Sequence, residues 1–127
     1  MRKNTEFNNL VRDEHIAWLK QQTNKSELEG LTGTLESHEI FGGRNRIASF
    51  YVRDCIALLT RKEHRSIHDD NRQEKSILIL KNKLQRRAKN RIVSIKEAEE
   101  YYFRLKQTVE NLNIKPLKQS WIDYSES

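Results

Sequence analysis

Apolar residues recur every three or four positions in three long stretches of the chain, which is the period of an amphipathic α-helix. The stretches are residues 5–22, about 70–91, and 95–112. The third begins at a sharp signal, because Ser94 and Glu97 have the spacing of a capping box, in which each side chain bonds the backbone of the other residue. We therefore predict three amphipathic helices.

The stretch between the first two of these helices carries two conflicting patterns. Gly42 and Gly43 stand between alternating apolar and polar residues, which predicts a β-hairpin around residues 35–52. The interpretation that we favour is a break at the two glycines, followed by a long and nearly all-apolar helix at about residues 45–62, typical of a central, buried element. The chain, residues 1–127, is predicted to be a single all-α domain, a small bundle of about four helices. The hairpin remains the alternative for its middle.

Composition narrows the class of protein. With only 4 Gly and 1 Pro among 127 residues, the chain has few positions suited to tight turns, which argues against a many-stranded sandwich or barrel. Charged residues make up 33%, and no apolar run approaches the roughly 18 to 20 residues that span a bilayer. The single cysteine, Cys55, cannot form an internal disulfide and fits a reducing compartment. These features predict a soluble, cytoplasmic protein with no membrane partner.

The net charge of +6 is distributed unevenly. Residues 44–93 hold 14 Lys and Arg against 5 Asp and Glu, whereas the segments on either side are both mildly acidic. A concentrated cationic region attracts polyanions, and nucleic acid, either DNA or RNA, is the obvious candidate.

The helix predicted at about residues 70–91 separates its apolar stripe from a cationic face. Such a face can bind phosphates, while Asn82 or an arginine reaches base edges. The competing interpretation is a solvated helix face. The predicted nucleic-acid contacts are Arg61, Lys62, Arg65, Arg72, Lys75, Asn82, Lys83, Arg86, Arg87, Lys89 and Arg91. The leading hypothesis is thus a small, basic nucleic-acid-binding protein that is not an enzyme and needs no cofactor.

Two histidines support a different hypothesis, in which the protein is a small ribonuclease or toxin. If residues 63–70 are helical, His64 and His68 lie four positions apart on one face, a spacing that can chelate a divalent ion with Asp69 or a distant carboxylate as third ligand. Imidazoles beside cations and carboxylates also suit acid–base cleavage of a phosphodiester. Because the stretch lacks a general-base glutamate between the histidines, the sequence assigns neither catalytic nor metal-binding residues.

Two further features bear on partners and on the core. Phe103 points away from the apolar stripe of the last helix, and the heptad-like spacing of that stripe suits a neighbouring helix. These features suggest a homodimer. They also suit the alternative to nucleic-acid binding, in which the protein is an adaptor or inhibitor that binds a partner protein or a nucleoprotein complex. Asp54 falls within an apolar stripe and needs a cationic partner such as Arg46.

Overall fold

The computed structural model describes residues 2–69 and 71–112, and the side chains from Glu6 onward except that of Asp69. The described part is mostly helical, with five α-helices and one two-stranded antiparallel sheet. In chain order the elements are α1 (Arg2–Gln22), β1 (Leu35–Glu39), α2 (Arg46–Ser49), β2 (Ile56–Thr60), α3 (Arg61–Asp69), α4 (Arg72–Arg87) and α5 (Ile95–Leu112). Two short 3-10 turns, Gly43–Asn45 and Arg53–Cys55, lie in the connection between the strands.

The small sheet lies in the middle of the molecule. Leu35 of β1 is opposite Thr60 of β2, and Glu39 is opposite Ile56. The residues of β2 alternate between the two faces of the sheet, and both faces are buried. Ile56 and Leu58 pack with residues of α1, whereas the intervening positions join the main core with α3, α4 and α5. Thus α1 covers one face of the sheet, and α3, α4 and α5 pack against the other.

This arrangement corrects the prediction for the middle of the chain. The long helix expected at about residues 45–62 does not form, and α2 keeps only four of its residues. The hairpin predicted around residues 35–52 includes β1, but the partner strand is Ile56–Thr60 and not the segment around Phe50. The physical reason is that β2 is buried on both faces. Its run of apolar residues therefore has no polar alternation to distinguish a strand from a buried helix.

The three helices predicted from periodicity are confirmed as α1, α4 and α5. The capping box is also confirmed, because the backbone N–H of Glu97 donates to Ser94 Oγ at 3.1 Å and that of Ser94 donates to Glu97 Oε1 at 3.4 Å. Phe103 is half exposed, as predicted. Nowhere in residues 2–69 and 71–112 is there a helix with the length and apolar content that crossing a membrane requires.

Candidate metal centre

Strand β1 brings one histidine and one glutamate to the face of the sheet that meets α3. Successive side chains of a strand point to opposite faces, so Glu36 and His38 share one face. His38 is opposite Ala57 of β2, a residue of the main core, and it is 1% exposed. A histidine thus occupies a fully buried position beneath α3.

Helix α3 begins where β2 ends because its first turn carries a second capping box. The backbone N–H of Thr60 donates to Glu63 Oε1 at 2.8 Å, and that of Glu63 donates to Thr60 Oγ1 at 3.3 Å. The other oxygen of Glu63 accepts hydrogen bonds from Ser26 Oγ and from the backbone N–H of Glu29, each at 2.9 Å. These bonds fix the start and direction of α3. The helix therefore presents His64 and His68, one turn apart, to the side chains of β1.

The three side chains His38, His64 and His68 form what we call the three-histidine cluster. One ring nitrogen from each lies within 4.8 Å of the other two, and the ring centroids are 5.0 to 5.7 Å apart. Tetrahedral zinc with bonds of 2.0–2.1 Å to nitrogen separates its ligand atoms by roughly 3.4 Å. A bound ion would therefore draw the three nitrogens closer together than they lie here. The cluster is therefore a candidate site for a divalent transition-metal ion.

His38 has the protonation state that a metal ligand requires. Its Nε2 is buried and has no hydrogen-bond partner among the described residues. Burial, followed by the charge of Arg72 and the neighbouring His64 and His68, lowers the pKa of His38 from 6.5 to about 3. The ring is consequently neutral at physiological pH. Three other buried polar atoms, on Arg12, His15 and Ser76, also have no partner among the described residues, but only the His38 nitrogen lies beside two further imidazoles, where a bound ion would satisfy it.

Glu36 fixes the orientation of the second histidine. His64 Nδ1 is 3.1 Å from Glu36 Oε1, and a carboxylate in that position accepts a hydrogen bond from Nδ1–H. The lone pair of a neutral ring is then on Nε2. Carboxylates that hold the second nitrogen of a histidine in this way are a regular feature of metal sites, where they orient the ring and increase its basicity.

The third histidine is the most exposed of the cluster and has an arginine beside it. Arg72 NH1 is 3.3 Å from His68 Nδ1, while its NH2 donates to the backbone oxygen of Glu39 at 2.8 Å and to that of Ile40 at 3.4 Å. A guanidinium can only donate, so His68 Nδ1 is the acceptor. No carboxylate among the described side chains pairs with Arg72. A positive charge therefore lies at the edge of the cluster.

The sequence interpretation noted the chelating spacing of two of these three histidines but assigned no metal ligands. It placed His64 and His68 on one face of a helix, and the structure brings them together as expected. It omitted His38, since it looked for the third ligand in Asp69, whose side chain lies outside the described residues, or in a distant carboxylate. The signal that was missed is the spacing Glu36-x-His38 in a strand, together with the Thr60-x-x-Glu63 capping box that marks the start of α3.

Several of the predicted nucleic-acid contacts are engaged within the fold. Lys83 is 0% exposed, and its Nζ is 2.8 Å from Glu27 Oε2, which Arg86 also contacts at 3.2 Å. Arg91 pairs with Glu97 at 2.9 Å. Others donate to the backbone: Asn82 to Glu27 and Leu28, and Lys75 to Ser66. Lys83 in particular has no surface with which to meet a phosphate.

Arg87 takes part in a second network, with Asp54 and Tyr101. The guanidinium binds both oxygens of Asp54, and the Tyr101 hydroxyl donates to one of them. Burial alone would raise the pKa of Asp54, but hydrogen bonds from Arg87 and Tyr101 outweigh it and lower the pKa. Burial and the contact with Asp54 raise the pKa of Tyr101 to about 12. The predicted partner of Asp54 was Arg46, which pairs instead with Glu39 at 3.3 Å.

The remaining predicted contacts fall into two groups. Arg61, Lys62 and Arg65 are exposed on α3, the helix that carries two of the histidines, and Lys89 is exposed beyond the end of α4. Residues three and four apart share one side of a helix, so Arg61 and Arg65 flank the histidines, whereas Lys62 belongs to another side with Glu63 and Ser66. Two exposed cations of the predicted set therefore lie beside the three-histidine cluster.

Comparison with known proteins adds nothing to this picture, since no family model, curated protein or solved structure matches the chain. The candidate site stands on its own geometry. Its chemistry is that of three imidazole nitrogen donors beside an arginine, with Arg61 and Arg65 exposed on the helix that carries two of the histidines.

Proposed function

We propose that this protein is a metal-dependent phosphodiesterase that acts on nucleic acid, with His38, His64 and His68 as the metal ligands. The observation that carries the proposal is the convergence of three imidazoles on one point, one of them buried with an unpartnered nitrogen. The proposal departs from the leading prediction of a non-catalytic binder. It unites the nucleic-acid partner of that prediction with the nuclease hypothesis built on His64 and His68.

The number and kind of ligands favour catalysis over a purely structural ion. Structural zinc sites generally use four protein ligands, whereas catalytic sites use three and keep one position for water or substrate. An ion held by three histidines lowers the pKa of a bound water to about 7 and polarises a phosphoryl oxygen. His68 is exposed, so the edge of the cluster that it forms is in contact with solvent.

The charges around the cluster favour an anionic substrate. Arg72 lies at its edge, and Arg61 and Arg65 flank the histidines on the exposed side of α3. Phosphates on either side of a scissile bond would meet these guanidinium groups, which bind phosphate well. The net charge of +6 adds long-range attraction for a polyanion.

The decisive experiment measures cleavage of labelled single-stranded DNA, duplex DNA and RNA after the metal is removed with EDTA and Zn²⁺, Mn²⁺, Co²⁺ or Ni²⁺ is added back. We expect cleavage that EDTA abolishes and that His68→Gln reduces at least 100-fold. The matched control is His15→Gln, because His15 lies on α1 outside the cluster and should retain full activity. Absence of metal-dependent cleavage on all three substrates, or full activity in His68→Gln, would refute the proposal.

A binding experiment tests the substrate surface separately. Arg61→Gln with Arg65→Gln should weaken the affinity for a non-cleaved oligonucleotide and reduce the slope of log affinity against log salt by about 1 to 2. Lys62→Gln removes one charge from another side of the same helix and serves as the control. If the double variant and Lys62→Gln weakened binding equally, the nucleic acid would not bind along the side of α3 that carries the histidines.

A further inference from the structure

We infer that Arg72 and the metal ion bind one phosphate group jointly, so that metal and phosphate bind cooperatively and Arg72 carries the coupling. This inference rests on the proposed function, since it needs an ion in the three-histidine cluster. It adds a second binding element to the site and specifies the chemistry of its ligand.

The geometry begins with how Arg72 is held. Its NH2 donates to two backbone oxygens, that of Glu39 at the end of β1 and that of Ile40, the next residue. These bonds anchor one end of the guanidinium at the edge of the sheet. The other nitrogen, NH1, is 3.3 Å from His68 Nδ1. The side chain is therefore fixed on one side and makes a single, exchangeable contact with the cluster on the other.

Metal binding must break that contact. If the ion binds His68 through Nε2, the neutral ring carries its proton on Nδ1, which then cannot accept a hydrogen bond from Arg72. If the ion binds through Nδ1, it takes the lone pair that Arg72 now uses. In both cases NH1 loses its acceptor while NH2 stays anchored. A free guanidinium donor is left beside the metal.

Charge makes a phosphate the natural new acceptor. Three imidazole ligands carry no negative charge, the Glu36 carboxylate beside His64 offsets a divalent cation only in part, and Arg72 adds another positive charge close by. An anion that bridges the ion and NH1 relieves this repulsion and restores the lost hydrogen bond. Because linkage is reciprocal, phosphate must then strengthen metal binding by the same factor by which metal strengthens phosphate binding.

The test is a titration of the metal-free protein with Co²⁺, followed by its visible absorption, with and without inorganic phosphate. We expect phosphate to tighten Co²⁺ binding about tenfold in the wild type and less than twofold in Arg72→Gln. In the absence of phosphate, Arg72→Gln should bind Co²⁺ at least as tightly as the wild type, because the repulsion and the competing hydrogen bond are both gone. A merely structural role for Arg72 would weaken Co²⁺ binding under both conditions.

Two further variants keep the result interpretable. Lys62→Gln likewise removes one positive charge, but from the side of α3 away from the histidines, and should preserve the tenfold effect. If Arg72→Gln fails to fold, Gly42→Ala provides the substitute, since a Cβ at Gly42 would lie 3.1 Å from Arg72 NH2 and force the guanidinium to shift by a few tenths of an ångström from its backbone anchors. The φ of Gly42 is −105°, which alanine readily adopts. We expect this variant to reduce the phosphate effect at least threefold.

A parallel titration with diethyl phosphate distinguishes the two sources of the phosphate group. An effect with the diester assigns the site to an internal backbone phosphate, whereas an effect with inorganic phosphate alone assigns it to a free phosphate or a terminal monoester. Failure of the wild type to bind Co²⁺ would refute the metal centre and the proposed function together. Co²⁺ binding that neither anion changes, or equal enhancement in Arg72→Gln, would overturn only the inference about Arg72.

Discussion

The buried position of His38 predicts a specific dependence of stability on pH. Burial, followed by the charges of Arg72, His64 and His68, lowers the pKa of His38 from 6.5 to about 3 in the folded protein. Between pH 6.5 and about 3, His38 therefore binds a proton in the unfolded chain but not in the folded protein. Stability is retained in full above pH 6.5 and is lost progressively as the pH falls toward 3. At pH 5 the loss from this one residue is about 2 kcal/mol.

The assay compares urea unfolding of the wild type and His38→Gln, both in EDTA, at pH 7.5 and pH 5.0. Glutamine does not titrate, so the wild type should lose about 2 kcal/mol more than the variant between these two pH values. The pKa of His15 is also lowered, mainly by burial, but this residue is present in both proteins and its contribution cancels. Equal losses in the two proteins would show that His38 is not held neutral by its surroundings.

Three other substitutions test the packing and the site. Glu36→Gln should weaken Co²⁺ binding about tenfold by loosening the orientation of His64, and an unchanged titration would contradict that role. Lys83→Met should reduce the free energy of unfolding by about 3 kcal/mol in urea, because it leaves the Glu27 carboxylate buried without its closest cation; a loss below about 1 kcal/mol would exclude this account. Ser94→Ala should cost about 1 kcal/mol through the lost cap of α5, measured by thermal unfolding and contradicted by an unchanged melting temperature.

The elements that the sequence predicted correctly are those with one exposed face. Helices α1, α4 and α5 each show solvent on one side, so their apolar residues repeat at the helical period. Strand β2 has helices on both faces, and four consecutive apolar residues there read equally well as part of a buried helix. The distinguishing information was the pairing with β1, a contact between distant segments that no local pattern contains.

The candidate site also depends on a contact between distant segments that no local pattern contains. His64 and His68 are neighbours on one helix, so their spacing was visible in the sequence. His38 joins them only through the register that places it opposite Ala57, on the face of the sheet that meets α3. A lone histidine in a short strand has no local feature that connects it to a helix beginning after the next strand.

Charge counting within one segment is limited for a related reason. The excess of cations in residues 44–93 is real, but the carboxylates that neutralise several of them come from elsewhere in the fold. Glu27, which precedes the sheet, binds Lys83 and Arg86, and Asp54, from the connection between the strands, binds Arg87. The surface potential depends on these tertiary pairs. The net charge of a segment therefore gives only an upper limit to the unpaired positive charge that a polyanion can contact.

The identity of the three ligands restricts which ion the site would take. Mg²⁺ and Ca²⁺ prefer oxygen ligands, and His38, His64 and His68 offer none, while the nearby Glu36 carboxylate is engaged with His64. Imidazole nitrogen instead suits zinc, copper, nickel and iron. An uncharged ligand set also leaves the full charge of the ion to act on whatever occupies the open position, which strengthens its effect on a phosphate oxygen or a water. The nitrogen ligands therefore disfavour magnesium, and their lack of negative charge suits the site to an anionic substrate.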